Sequence, residues 1–75
     1  MPLITVKLIE GVFTAEQKQQ IARRLTDTMV EIEGENLRPV TWVVVEEVPG
    51  GQWAIGGNPL TAEDVHRMAA GPAAA

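Results

Sequence analysis

The sequence lacks cysteine altogether and has a single histidine, His66. These two absences exclude disulfides, thiolate metal sites and the usual zinc or iron ligand sets. The sequence has six basic and ten acidic residues, which gives a net charge of −4. Because phosphate binding requires a basic face, this balance argues against nucleic acid as a partner. No apolar run reaches the roughly 18 residues of a membrane span, and no signal-peptide pattern opens the chain. The sequence therefore predicts a soluble, cytoplasmic protein.

The chain is also short, at 75 residues, and we expect one domain over residues 1–75. A domain of this size buries only about 60% of the surface that its unfolded chain exposes. Small domains usually add disulfides, a metal or oligomerisation to such a thin core. Since the first two are excluded, the 45% hydrophobic content favours a homo-oligomer whose interfaces supply much of the core.

The first part of the chain predicts a strand, a helix and a second strand. Residues 3–9 are rich in β-branched side chains and alternate in polarity, which predicts a strand. Residues 41–48 predict another, and the unbroken apolar run over 42–45 favours burial on both faces or cover by another subunit. A β-α-β unit has a right-handed crossover. Two strands and one helix leave open sheet edges, which again predicts pairing with a second subunit.

The connecting helix has clear ends. Thr14 and Gln17 form a capping-box pattern, and Gly34 is a natural C-terminal cap. The predicted buried stripe follows helical spacing and consists of Ile21, Leu25, Thr28, Met29 and Ile32.

The last third of the chain is rich in glycine. Two Gly-Gly pairs bracket residues 52–55, which predicts a tight loop or short hairpin with Trp53 as an aromatic tip. Thr61 begins a short helix with Asp64 at its third position, and Gly71-Pro72 ends it. We therefore expect a core over 2–57 and a C-terminal segment over 58–75 with a frayed end.

Pro2 is the residue best suited to act in catalysis. Methionine aminopeptidase removes Met1 before a small residue such as proline, which would leave a secondary amine at the head of the first strand. An α-amino group has a pKa of about 7.7–8.0, and desolvation or a nearby cation lowers the pKa of an amine. Such an amine could act as a general base beside a carbonyl or attack it as a nucleophile. A proline here could also simply be compatible with the start of a strand.

Four segments in order resemble the 4-oxalocrotonate tautomerase family, namely MPLITVKLIEG, TAEQKQQIARRLTDTM, VVVEE and WAIGG. The resemblance runs from Pro2 to about Gly57. Its most specific elements are the N-terminal proline, the Glu-Gly and Glu-Gln-Lys groups of residues 10–18, and the aromatic-x-Ile-Gly-Gly loop at residues 53–57.

The resemblance implies an α/β (α+β) subunit, β-α-β followed by a C-terminal hairpin. Two subunits would form a four-stranded sheet backed by two helices, and three such dimers a hexamer. It also implies that Pro2 is a general base moving a proton between the carbon and oxygen ends of a small carbonyl or enol substrate. Members of this family need no metal and no organic cofactor.

Carried over residue by residue, the resemblance is incomplete. Pro2 matches the catalytic proline, and Trp53 matches the aromatic wall of the site. The family's two substrate-binding arginines align with Val12 and Trp42, so both expected cations are missing. Arg38 is the candidate substitute cation, and Trp42 could line the site or pack between subunits.

The leading hypothesis is therefore a proline-based tautomerase acting on a small carbonyl compound that is not a dicarboxylate. Without a bidentate guanidinium clamp, a dicarboxylate such as 2-hydroxymuconate should be held poorly. The alternatives are a non-catalytic or partner-dependent subunit and a proline-dependent decarboxylase or hydratase. Hydration looks less favourable, because no acid lies in the 53–55 region that would activate water. Glu46 and Glu47 are interpreted as exposed strand-end charges.

Overall fold

The structure is a computed structural model that describes residues 1–72. The expected frayed end at the last alanines lies outside the described residues. The elements in chain order are β1 (Leu3–Ile9), α1 (Ala15–Glu33), a 3₁₀ helix (Glu35–Val40), β2 (Trp42–Val48), β3 (Trp53–Ile55), β4 (Asn58–Leu60) and α2 (Ala62–Ala70).

Contacts between residues divide the chain into two compact units. The first unit contains Met1–Lys7 and Phe13–Glu46, and the second contains Leu8–Val12 and the chain from Glu47 onward. The first unit therefore holds α1, the 3₁₀ helix and most of β1 and β2. The second holds the β3–β4 hairpin and α2.

Strands β1 and β2 pair with each other in one sheet. Where both strands begin, the Trp42 N–H donates to the Pro2 carbonyl at 3.0 Å, and where both end, the Glu10 N–H donates to the Val48 carbonyl at 2.8 Å. The start of β1 therefore pairs with the start of β2, so the two strands run parallel, as a β-α-β unit requires. The predicted β-α-β arrangement is confirmed.

Helix α1 begins where its capping box predicts. The Thr14 hydroxyl accepts from the Gln17 N–H at 3.1 Å, and the Gln17 side chain accepts from the Thr14 N–H at 2.9 Å. The helix ends at Gly34, whose φ of +104° suits glycine and whose N–H donates to the Val30 carbonyl at 2.8 Å. Both predicted ends are confirmed.

The buried stripe of α1 differs in part from the prediction. Val30 is 5% exposed and, with Ile9 of the second unit, is one of two buried apolar side chains among residues 1–72. Ile32 was expected on the stripe but is 80% exposed, and Thr28 is also exposed. The half-buried positions 22, 26 and 29 share the helix face of Val30, whereas Ile32 lies about 200° further round a helix of 3.6 residues per turn.

A 3₁₀ helix over Glu35–Val40 joins α1 to β2, where the sequence gave no sign of an element. The Thr41 hydroxyl donates to the Leu37 carbonyl at 2.8 Å, and the Thr41 N–H donates to the Arg38 carbonyl at 3.2 Å. These bonds close the last turn and lead the chain directly into β2.

In the second unit, β3 and β4 form an antiparallel hairpin in which Trp53 pairs with Leu60 and Ile55 with Asn58. The two-residue turn is Gly56-Gly57, with φ of +58° and +83°. Turns with two positive φ values match the twist of a hairpin, and glycine adopts them without strain. The hairpin is therefore confirmed, but the aromatic tip is wrong: the glycines form the tip, and Trp53 lies at the open end.

Helix α2 begins at the predicted cap. The Thr61 hydroxyl accepts from the Asp64 N–H at 3.3 Å, and the Asp64 carboxylate accepts from the Thr61 N–H at 2.9 Å. This backbone hydrogen bond is the main reason that the pKa of Asp64 lies below its ordinary value. The helix stops at Gly71, as predicted. Within residues 1–72, no helix combines the length and apolar character that crossing a membrane requires.

Candidate active site

Pro2 lies immediately before β1 and is half-buried. Its carbonyl is held by the Trp42 N–H at 3.0 Å, so the backbone pairing of β1 with β2 fixes the position of the residue. Met1, 81% exposed, precedes it. While Met1 is attached, the prolyl nitrogen is part of an amide and has no basicity, so the chemistry expected of Pro2 requires the processed chain.

Within the first unit, Trp42 is bonded to Pro2 through its backbone N–H. Its side chain is 57% exposed and lies on the same sheet face as Leu3 (64% exposed) and Val44 (37% exposed). Burial of the 42–45 run on both faces is therefore wrong for a single chain, because nothing in the first unit covers this face. Cover by another subunit stays a prediction.

Arg38 extends from the 3₁₀ helix towards two carboxylates. Its Nε donates to Glu35 Oε1 at 2.7 Å, and its Nη1 donates to Asp27 Oδ1 at 2.8 Å. The hydrogen bond from Arg38 holds the pKa of Glu35 below its ordinary value, and the same contacts, Glu35 first, raise the pKa of the guanidinium. Two carboxylates thus compete with any substrate for this cation, and its role as a substitute clamp stays a prediction.

Val12 and Trp53 belong to the second unit. Val12 is half-buried in the turn after β1, and its N–H donates to the Ile9 carbonyl at 3.3 Å. Trp53 is half-buried at the start of β3. The five predicted site residues are therefore divided, with Pro2, Trp42 and Arg38 in the first unit.

Two side chains make contacts that the sequence did not reveal. The Glu47 carboxylate accepts from the Gly11 N–H at 3.3 Å, so it stabilises the turn after β1 rather than being only an exposed strand-end charge. His66 Nε2 lies 3.1 Å from the Val12 carbonyl oxygen. No local pattern in the sequence could identify this partner, which lies 54 positions away.

Across the part of the chain that the structure describes, no group of three His, Asp or Glu side chains is arranged to hold a metal ion.

Comparison with known proteins gives a consistent result. The family model described as "Tautomerase enzyme" matches residues 2–63. The curated "Probable tautomerase K2" of Dickeya dadantii (strain 3937) is 34% identical over 61 residues, which cover 81% of this chain and 90% of that protein. The crystal structure of apo unFused 4-OT is 31% identical, with a TM-score of 0.70 over 84% of this chain and 97% of that chain. That of TomN, described as a 4-oxalocrotonate tautomerase homologue in the tomaymycin biosynthetic pathway, is 29% identical, with a TM-score of 0.70 over 91% of this chain and 95% of that chain.

Proposed function

The chain belongs to the tautomerase enzyme family, and we propose that it catalyses keto–enol proton transfer with Pro2, freed of Met1, as the general base. The observation that carries the proposal is the location of Pro2. It precedes β1 directly, and its carbonyl is held by the Trp42 N–H. This bond leaves the prolyl nitrogen as the group that is available for chemistry.

The proposed reaction is an isomerisation that needs no second substrate and regenerates the prolyl amine. The free prolyl nitrogen takes the proton of the enol hydroxyl, which leaves an enolate and a prolinium. The C=C electron pair of the enolate then takes that proton at carbon as the C=O bond forms, which restores the amine. The half-buried position of Pro2 favours this cycle, because desolvation lowers the pKa of an amine towards neutrality, where a general base is most effective.

The proposed substrate has an apolar body and is not a dicarboxylate. Val12 and Trp42 occupy the positions where the resemblance places two arginines, and the Arg38 guanidinium is paired with Asp27 and Glu35. Val12 and Trp42 offer apolar surface in place of two arginines, which favours an aromatic or aliphatic group on the substrate over a second carboxylate.

We further propose that the working form is a homo-oligomer, a hexamer built as a trimer of dimers. The exposed sheet face of Leu3, Trp42 and Val44 and the scarcity of buried side chains support it. An isolated two-stranded sheet is marginal, and pairing β1 with its counterpart in a second copy would extend it to four strands.

The first test compares the two forms of the chain, with and without Met1, from a single preparation. The intact mass identifies the chain with and without Met1, and ketonisation of phenylpyruvate enol is measured for each form. We expect activity only in the Met1-free form. The Pro2→Ala variant should lose at least about 100-fold in kcat, since a general base contributes 10²–10⁴-fold.

Pro49→Ala is the matched control, because Pro49 is an exposed proline after β2 and outside the proposed site. It should leave turnover unchanged. Activity that survives in the Met1-retaining form, or in Met1-free Pro2→Ala, would refute the base role.

A second candidate is a subunit that depends on a related chain for its cations. The pairing of Arg38 with two carboxylates favours it, because the candidate substitute cation is then already engaged within the chain. This candidate predicts that 2-hydroxymuconate turnover appears only after co-assembly with an arginine-bearing relative. Turnover of phenylpyruvate enol by the purified chain alone would exclude it.

A further inference from the structure

The turn after β1 is anchored at each of its three residues. The Glu10 N–H donates to the Val48 carbonyl at 2.8 Å, and the Gly11 N–H donates to the Glu47 carboxylate at 3.3 Å. Both bonds tie the turn to the end of β2. The third residue, Val12, has its carbonyl bonded to α2 instead.

In the bond between α2 and the Val12 carbonyl, His66 is the donor. A carbonyl oxygen only accepts, so the proton lies on His66 Nε2, 3.1 Å from the Val12 oxygen. The assignment fixes the tautomer of a neutral ring at Nε2–H.

Helix α2 contacts the turn at a second point, one turn before His66. Gly11 has a φ of +87°, and a Cβ placed on it would lie 3.4 Å from the Ala62 Cβ. Ala62 and His66 are four residues apart and so lie on one helix face. Two consecutive residues of the turn therefore contact two consecutive turns of α2.

The start of α2 is fixed independently of the turn. Thr61 and Asp64 form its capping box, and Arg67 bonds to Glu63 at 3.1 Å and also to Asp64. A helix held in this way presents the His66 ring from a defined position.

We propose that His66 is a positioning residue, which sets substrate affinity by fixing the turn that carries Val12. The proposal rests on the proposed function, because it takes Val12 as part of the substrate site. The family match ends at residue 63, so it does not extend to His66. The C-terminal helix thereby acquires a role in recognition that the matched part of the chain does not describe.

The test compares His66→Ala with His66→Gln in the Met1-free full chain, with phenylpyruvate enol as substrate. Loss of one hydrogen bond should raise KM about fivefold in His66→Ala and leave kcat within about twofold. Glutamine places an N–H donor close to the position of Nε2, so His66→Gln should keep KM within about twofold of the wild type. Met68→Ala, a change at a 63% exposed side chain on the same helix, should leave KM unchanged.

A second readout does not depend on turnover. Amide hydrogen exchange at Gly11 and Val12 should become about fivefold faster in His66→Ala and remain slow in His66→Gln. Unchanged KM and unchanged exchange in a folded His66→Ala would overturn the positioning role. A fall in kcat without a change in KM would overturn it too.

Pro2→Ala separates the two proposals. If Pro2→Ala abolishes turnover while His66→Ala changes neither readout, only the positioning role fails. If Pro2→Ala is fully active while His66→Ala speeds exchange and raises KM, the base proposal fails and the anchoring by His66 stands. If exchange quickens but KM is constant, Val12 is not part of substrate recognition and the positioning proposal is refuted.

Discussion

Replacement of Trp42 by arginine tests how the chain selects its substrate. The indole is 57% exposed in the single chain, and in the proposed site a guanidinium at this position would pair with a carboxylate of the bound substrate. The bond that fixes Pro2 uses the backbone N–H of residue 42 and not its side chain. Trp42→Arg should therefore add a positive charge to the sheet face of Leu3 and Val44 while leaving the bond to the Pro2 carbonyl intact.

The size of the effect follows from the exposure of the site. A hydrogen bond to a charged group contributes about 1.5–3 kcal/mol, and partial exposure favours the lower end. A gain of about 1.5 kcal/mol corresponds to roughly a tenfold increase in kcat/KM. The gain should favour 2-hydroxymuconate over phenylpyruvate enol, because the dicarboxylate has a second anionic group to bind.

The assay is the ratio of kcat/KM for 2-hydroxymuconate to that for phenylpyruvate enol. Trp42→Gln is the control, since it removes the indole without adding charge. We expect a ratio about tenfold higher in the arginine variant than in the glutamine variant. Equal ratios in two folded variants would refute the reasoning, as would a wild-type chain that turns over the dicarboxylate as well as phenylpyruvate enol.

Three further predictions concern stability and ionisation. Val30→Ala removes two buried methyl groups and should lower the free energy of unfolding by about 2 kcal/mol in urea titrations, whereas the exposed Ile32→Ala should cost less than about 0.5 kcal/mol. Thr14→Ala removes the cap of α1 and should cost about 1 kcal/mol in the same titration; no loss would contradict the capping role. Arg38→Gln should raise the pKa of Glu35 towards its ordinary value, followed by NMR titration. Because the folded pKa of Glu35 is depressed, its stabilising contribution is present above the unfolded pKa of about 4.3 and is lost as pH falls through the folded value, and Arg38→Gln should remove that dependence.

The features that the sequence predicted correctly are those that depend on neighbouring residues. Each capping box joins residues three apart, Thr14 to Gln17 and Thr61 to Asp64, so the pattern itself contains both partners. The β-α-β order follows similarly from strand and helix periodicity. Trp53 was misplaced because the sequence does not show which of two Gly-Gly pairs forms the hairpin turn.

The features that it missed depend on distant residues. Ile32 has the same local spacing as a buried position, and only the location of the sheet shows that it is exposed. The contact of His66 with Val12 joins residues 54 positions apart. The sequence points to Pro2 as the candidate base and shows that positions 12 and 42 are not arginine. It does not show that Arg38 is already paired with Glu35 and Asp27.

The scarcity of buried side chains has a consequence for the supply of this protein in a cell. Ile9 and Val30 are the buried apolar residues of the described chain, so in the proposed oligomer a newly made copy would expose its sheet face to proteases until it met another copy. For an assembly of the proposed kind, survival of new chains depends on the rate of encounter, which rises with their concentration. Abundance would then grow more steeply than synthesis, so a modest change in translation would be amplified into a larger change in enzyme level.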